Sequence, residues 1–527
     1  MVSANEIGYQ TNATATQMAE TIFGEGVQVT DASFTGDNRA SAIYTDGDDT
    51  LGVAPSDTGV ILSTGRADRF TNSNGDANQS NSTSTNNSGV NNNSDFNTIA
   101  GARTYDASWL DVTFIPDGDF MTMQFVFASD EYPEYAGSVY NDVVGVWING
   151  VHVPLSVASG PAAVGSVNQN DNSNLYVSNT NDEYNTEMDG FTVTMSLTIP
   201  VNDGEENTIR IGIADVSDSS YDSNLLIAAN SVQTGYVAVE DSLTTYVGST
   251  NTFDVLSNDV TSIPGTLVIT HINGDPVTVG STVILPTGQT IIVNADGTLT
   301  ISTDNDEDTV SFTYTSGVEN SAGIIVQSDT AMVTLETIPC FVRGTRVQTP
   351  DGMIAVEDLS VGDMVETFDN GPQPVRWVGN RAVPGRGKLA PIRIAAGTFG
   401  SHGSLMVSPQ HRILVRDSLA ELLFGQSEVL IKAKDLINGR GIRTVESDEV
   451  EYFHIMFEEH QVVFSEGLAS ESFLPGPQSS EMFDQEVKDE LTEIFPELEV
   501  ETGEGYSPAA RLSLKRHEAK TLLGTAA

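Results

Sequence analysis

The chain of 527 residues contains one cysteine, Cys340, and seven histidines. A five-membered ring separates the Cys340 sulfur from the carbonyl carbon of Pro339. Attack there is intramolecular, and effective molarities of about 10⁵–10⁸ M assist such a step when the geometry is held. The product is a thioester joining residues 1–339 to the Cys340 side chain. Amide resonance is lost in the shift, so the departing nitrogen needs a proton. His411, in the segment LMVSPQHRILV (405–415), is the expected donor. An imidazole titrating near about 6.5 both takes and gives protons at neutral pH. Pro339 fixes its own φ and restricts the residue that carries the scissile carbonyl. A lone cysteine is ordinarily an inert small hydrophobe, but this one opens a segment directly after a β module and directly before Gly344-Thr345. With one thiol there is neither an internal disulfide nor a thiolate cage for zinc.

The elements that must position these groups are strands, and the expected fold class is mainly β. Residues 1–235 hold apolar runs rich in Val, Ile, Thr and Phe, such as GVILSTG (59–65), FMTMQFVFAS (120–129) and NTIRIGIADV (207–216), spaced by Asn, Asp, Gly and Ser. That pattern predicts a β-sandwich. Between Asn72 and Asn97, ten of 26 residues are Asn, which reads as a solvated loop with too little apolar area to order itself. Residues 236–338 read as a second, Ig-like β-sandwich, with a hairpin signal at Asp296-Gly297. Residues 340–474 are β-rich again, with a tight turn at Asp369-Asn370-Gly371. In 475–527 the period changes. Met482, Phe483, Val487, Leu491, Ile494, Phe495 and Leu498 form one apolar stripe on an acidic helix, and a second short helix is expected over about Ala509–Leu523.

Charge divides the chain at the same joint. The total is −50, and residues 1–339 carry 44 acidic residues, five arginines and no lysine. Nucleic acid is excluded as a partner, because phosphate binding needs a basic surface. No run approaches 18 apolar residues, and the N-terminus lacks the basic and apolar regions of a signal peptide, so the expectation is no membrane span and another route for any export.

The stretch CFVRGTRVQTPDG (340–352) with MIAVEDLSVGDMVETFDNG (353–371), then LMVSPQHRILV, then YFHIMFEEHQVVFSEGLASESF (452–473) resembles the hedgehog/intein (Hint) self-processing domain, block by block. The resemblance implies an all-β horseshoe with Cys340 as nucleophile, His411 as acid/base and Ser408, in the place of a family Thr, as its helper. His460 falls where the family often has a histidine and is expected to assist water; His454 is the weaker candidate. Two departures narrow the outcome. The closing Ala469-Ser470-Glu471-Ser472-Phe473 lacks the His-Asn pair that completes splicing, and Arg376-Trp377-Val378-Gly379-Asn380 lacks the carboxylate that activates a sterol. What remains is cleavage of Pro339-Cys340 with release or transfer of residues 1–339 to water, an amine or an alcohol, with no cofactor required. The rival reading is a secreted adhesin whose Hint domain does not react.

FASDEYPEYAGSVYNDVVGVWING (127–150) and IGIADVSDSSYDSNLLIAANSV (211–232) resemble the bacterial choice-of-anchor L domain, and DVLSND with NADGTLTIS resembles cadherin-like repeats. Both imply an extracellular or cell-surface protein meeting a surface ligand, with the C-terminal helices as either a secretion signal or a packing element. Asp241, Asp254, Asn258, Asp259 and Asp296 are candidate oxygen ligands for Ca²⁺, with solvated acidic turns as the equal alternative. Asp130, Glu131 and Glu134 read as structural or cation-binding.

Overall fold

The computed structural model describes residues 2–474 and 507–524, apart from 51, 86, 137–139, 155, 158–159, 162–165, 246–249, 304–308, 338–339, 384, 387–389 and 515. Pro339 and the acidic stripe of 482–498 lie outside the described residues. The rest is mainly β, arranged around three main apolar cores with smaller apolar clusters beside them.

The first core lies between two antiparallel sheets. One has the order Gly8–Gln10, Ser41–Thr45, Gly59–Ser63, Ser223–Ala228, Phe120–Ser129, Gly190–Thr192, Tyr176–Ser178, with Met195–Pro200 also on Phe120–Ser129. The other has the order Val27–Thr35, Thr104–Pro116, Asn207–Val216, Val143–Ile148, Val151–Val153. Leu62, Phe125, Phe127 and Leu225 of the first meet Leu110, Val112, Val146 and Ile211 of the second. Helix Ala15–Ile22, opened by a Thr14–Gln17 capping box, adds Met18, Ala19 and Ile22 to this core.

The Asn-rich segment corrects the expectation of a free loop. Polar clamps order it: Asn72 Nδ2 donates to Glu187 (2.6 Å), Asn78 Nδ2 to Asp189 (2.7 Å), Thr85 N to Asp222 (2.9 Å) and Ser88 N to Asp37 (2.8 Å). Buried carboxylates replace the missing apolar area, because each is an acceptor that must be satisfied.

The second unit is a sandwich of five and four strands around Phe253, Ile291, Ile301, Phe312 and Val333. Asp296-Gly297 turns between Thr290–Val293 and Leu299–Ser302, with Gly297 at φ +89°, where a side chain would be strained. Asp329 ties the two sandwiches, accepting from Thr122 Oγ1 (2.8 Å), Gln124 Nε2 (3.2 Å) and Ala238 N (2.9 Å).

The third unit holds a six-stranded sheet in the order Trp377–Val383, Val450–Met456, Phe341–Val342, Leu405–Val407, Ile392–Ile394, Ile442–Thr444, beside a nine-stranded one. The expected helix over Ala509–Leu523 is shorter. Leu512–Ser513 pairs in parallel with Glu428–Lys432, and only Arg516–Gly524 is helical, burying Ala519 and Leu522 in the third core. No helix among the described residues is long and apolar enough to cross a membrane.

Candidate functional site

Cys340 heads a central strand of the six-stranded sheet, and register sets its neighbours. Phe341 pairs with Phe453 on one side and with Val407 on the other. One residue back, Cys340 falls between His454 and Ser408. Its N–H, the nitrogen of the bond to Pro339, donates to Ser408 Oγ at 2.9 Å, and its carbonyl accepts from Ser408 N at 2.9 Å. Its sulfur lies 3.3 Å from His454 Nε2. The chain turns away at once, because Thr345 N donates to Val342 O (3.0 Å) through Gly344 at φ +87°. Val342, Val450, Tyr452 and Met406 enclose the thiol, which is 5 % exposed.

His454 was the weaker sequence candidate, yet it is the histidine on the sulfur. Trp377 stacks over its ring (centroids 6.5 Å) and Phe473 meets it edge-on (5.6 Å). The segment without a sterol-activating carboxylate thus supplies an aromatic wall. Neither Trp377 nor Phe473 was singled out in the sequence, since their meeting depends on strand register.

His411 sits at the end of a turn whose amide bonds to Ser408 O (3.2 Å), with its ring 4.4 Å from that of Phe341. Neither ring nitrogen has a hydrogen-bond partner among the described residues. Burial, opposed by Glu471, drives its pKa down to about 4. The expectation of an imidazole that exchanges charge at neutral pH is therefore corrected: at pH 7 His411 is a neutral ring offering one N–H and one lone pair.

His460 is committed. Its Nδ1 accepts from Ala510 N (3.0 Å), so Nε2 carries the hydrogen and donates to Ser472 O (3.2 Å). Burial holds it below its ordinary value, and Glu471 opposes that shift. With both nitrogens occupied it braces the C-terminal segment, which corrects the expectation that it activates water. Glu471, noted in the sequence only as a departure, is fully buried and accepts from Arg412 N (2.8 Å) and Arg412 Nη1 (3.2 Å). Burial opposes its ionisation, but the surrounding positive groups outweigh it and hold the carboxyl below its usual range. Because both histidines are neutral at pH 7, Arg412 is the cation that balances it.

Among the calcium candidates, Asp241, Asn258 and Asp259 come together while Asp296 caps its own hairpin through Thr298. Asp259 is taken by Tyr236 Oη (2.6 Å), Val239 N (2.9 Å) and Tyr314 Oη (3.2 Å), which leaves it little capacity for an ion.

A buried cysteine heads this all-β domain, with its amide on the Ser408 hydroxyl and its thiol on His454 of a neighbouring strand. Residues 339–477 match the Hint domain family, and residues 5–233 match the choice-of-anchor L domain. The chain thus carries a Hint domain behind a choice-of-anchor L domain. Similar solved structures include the MchDnaB-1 intein (16 % identity, 25 % of this chain and 98 % of that one, TM-score 0.19). Others are the bacterial intein-like domain from Clostridium thermocellum (17 %, 25 % and 97 %, 0.18) and the gp41-1 intein (14 %, 25 % and 97 %, 0.17). No curated protein matches the chain.

Proposed function

We propose that the Hint domain cleaves its own chain before Cys340, once per molecule, and releases residues 1–339 of a cell-surface or extracellular protein. The observation that carries this reading is the double hold on Cys340, amide on Ser408 and thiol on His454. In the first step His454 Nε2 takes the thiol proton, and the sulfur adds to the Pro339 carbonyl carbon. The C–N bond then breaks, and the nitrogen leaves as the amine of Cys340 after gaining a proton. Ser408 Oγ accepts that N–H and holds the nitrogen in place. Neutral His411, at the other end of the same turn, passes it the N–H proton while its other ring nitrogen takes one from water, a loss the proton on His454 makes good, so the thiol proton ends on the amine. A nucleophile, water by preference, then adds to the thioester and expels the thiol, so the overall reaction is hydrolysis of one peptide bond. The Glu471-Ser472 ending offers no asparagine to cyclise, which supports cleavage over splicing. The choice-of-anchor L domain supports the surface location.

The test is to incubate the purified chain at neutral pH with and without dithiothreitol or hydroxylamine. A fragment of residues 1–339 should accumulate, faster with either reagent, while Cys340→Ala stays whole. Its mass identifies the acceptor. A wild-type chain that stays whole under strong thiol would defeat this reading in favour of a binding protein with an unreactive Hint domain.

A further inference from the structure

At one end of the first sandwich, three elements bring carboxyls together, and no arginine among the described residues is paired with them. Asp215 follows a slip in register between Ile213 and Asp215 on strand Asn207–Val216. Asp142 precedes strand Val143–Ile148, and its Oδ1 accepts from Val216 N at 3.0 Å. Glu131, just past strand Phe120–Ser129, accepts from Asp142 N at 3.2 Å. Asp142 and Asp215 are 1 % and 3 % exposed and meet carboxyl to carboxyl. Asp142 Oδ2 and Asp215 Oδ1 have no donor within hydrogen-bond distance among the described residues, and the only hydroxyls that favour ionisation of the two carboxyls are Ser223 beside Asp142 and Thr64 beside Asp215.

We propose that the Asp142–Asp215 pair, with Glu131 beside it, holds a divalent cation of the calcium class. Two buried carboxyls in contact, each with an oxygen that no donor reaches, need either a proton or a cation between them. Four of the five arginines of residues 1–339 are engaged elsewhere, Arg39 with Asp37, Arg66 with Asp68, Arg210 with Asp95 and Asp111, and Arg103 over Tyr105, and the fifth, Arg69, is exposed. The neighbouring carboxylates Asp130, Asp189 and Asp222 show the contrast. Their oxygens, Asp189 Oδ2 excepted, are met by N–H or O–H donors, chiefly from the Asn-rich segment. An oxygen-only donor set without Cys or His suits a hard cation rather than a transition metal. No three His, Cys, Asp or Glu side chains among the described residues form a ready-made cage, so two carboxylates anchor the ion, and water and backbone oxygens complete its six to eight ligands. Burial and mutual repulsion, which push Asp215 upward, are what a bound cation would relieve.

The test uses the full chain with Cys340→Ala, stripped with EGTA and titrated with CaCl₂ in magnesium-containing buffer by calorimetry and thermal melting. Saturable heat and a rise in Tm of several degrees are expected. Both should vanish in Asp142→Asn/Asp215→Asn and persist in Asp241→Asn. Should the double variant fail to fold, Asp215→Asn alone should weaken affinity at least tenfold. Absence of heat and of any Tm shift at millimolar calcium, or a response unchanged in the Asp215→Asn chain, overturns the proposal; in the first outcome the pair shares a proton, in the second the ion sits elsewhere.

Discussion

His454 and His411 differ in what surrounds them, and that divides their work. His454 touches the sulfur at 3.3 Å inside an aromatic wall, whereas His411 faces Phe341 with both nitrogens unengaged. Proton removal by a positioned base contributes about 10²–10⁴-fold. His454→Ala should therefore slow appearance of the thiol-trapped 1–339 fragment by roughly that factor, followed by intact mass over time. His454→Phe keeps a ring against Trp377 and Phe473 and is expected to be as slow; recovery of rate in that variant would assign His454 a packing role alone. His411→Ala should slow the same step through the departing nitrogen, and unaltered cleavage would remove it from the mechanism.

The strands decide which residues reach Cys340, and here the sequence was only partly legible. Alternating apolar runs and turn signals were enough for a mainly β chain, because they depend on neighbours one or two positions apart. The meeting of Cys340 and Ser408 was legible because both lie in short blocks whose order the chain keeps. His454 was undervalued because its approach follows from the register of Val450–Met456 against Phe341–Val342, a pairing across about a hundred residues that no local pattern encodes. The C-terminal segment is a second case. Arg511 bonds Glu428 (2.8 Å) and Asp369 (2.7 Å), Ala510 N reaches His460, and Leu514, Ala519 and Leu522 are buried. As a packed element it contributes stability. Leu522→Ala, at 1 % exposure, should destabilise the Hint unit by about 2–5 kcal/mol, read as a lower denaturant midpoint for that unit. An unchanged midpoint would mean that this helix is dispensable to the fold and free for another use.

Over the whole molecule, the net charge of −50 acts through carboxyls that folding buries as well as through those on the surface. Burial, reinforced by neighbouring carboxylates, raises Asp130 to about 8 and Asp241 to about 8, and burial raises Asp142 to about 8. The unfolded chain releases these protons near about pH 4. Between those limits the folded form binds more protons than the unfolded one, so stability falls as pH rises. His411 works in the opposite sense but in a lower window. Its folded value of about 4 lies below the ordinary histidine value, so its contribution is complete above about 6.5 and lost as pH falls. Each unit of upward shift in one carboxyl is worth about 1.4 kcal/mol between plateaus, and several carboxyls outweigh one histidine. The chelated full chain carrying Cys340→Ala should therefore have its highest urea midpoint near about pH 4 and lose stability steadily toward pH 8. Millimolar calcium should flatten that descent without changing the acid side, because a cation replaces protons only where carboxylates are ionised. A chelated chain equally stable at pH 5.5 and pH 8 would show that these carboxyls ionise as freely in the folded chain as in the unfolded one.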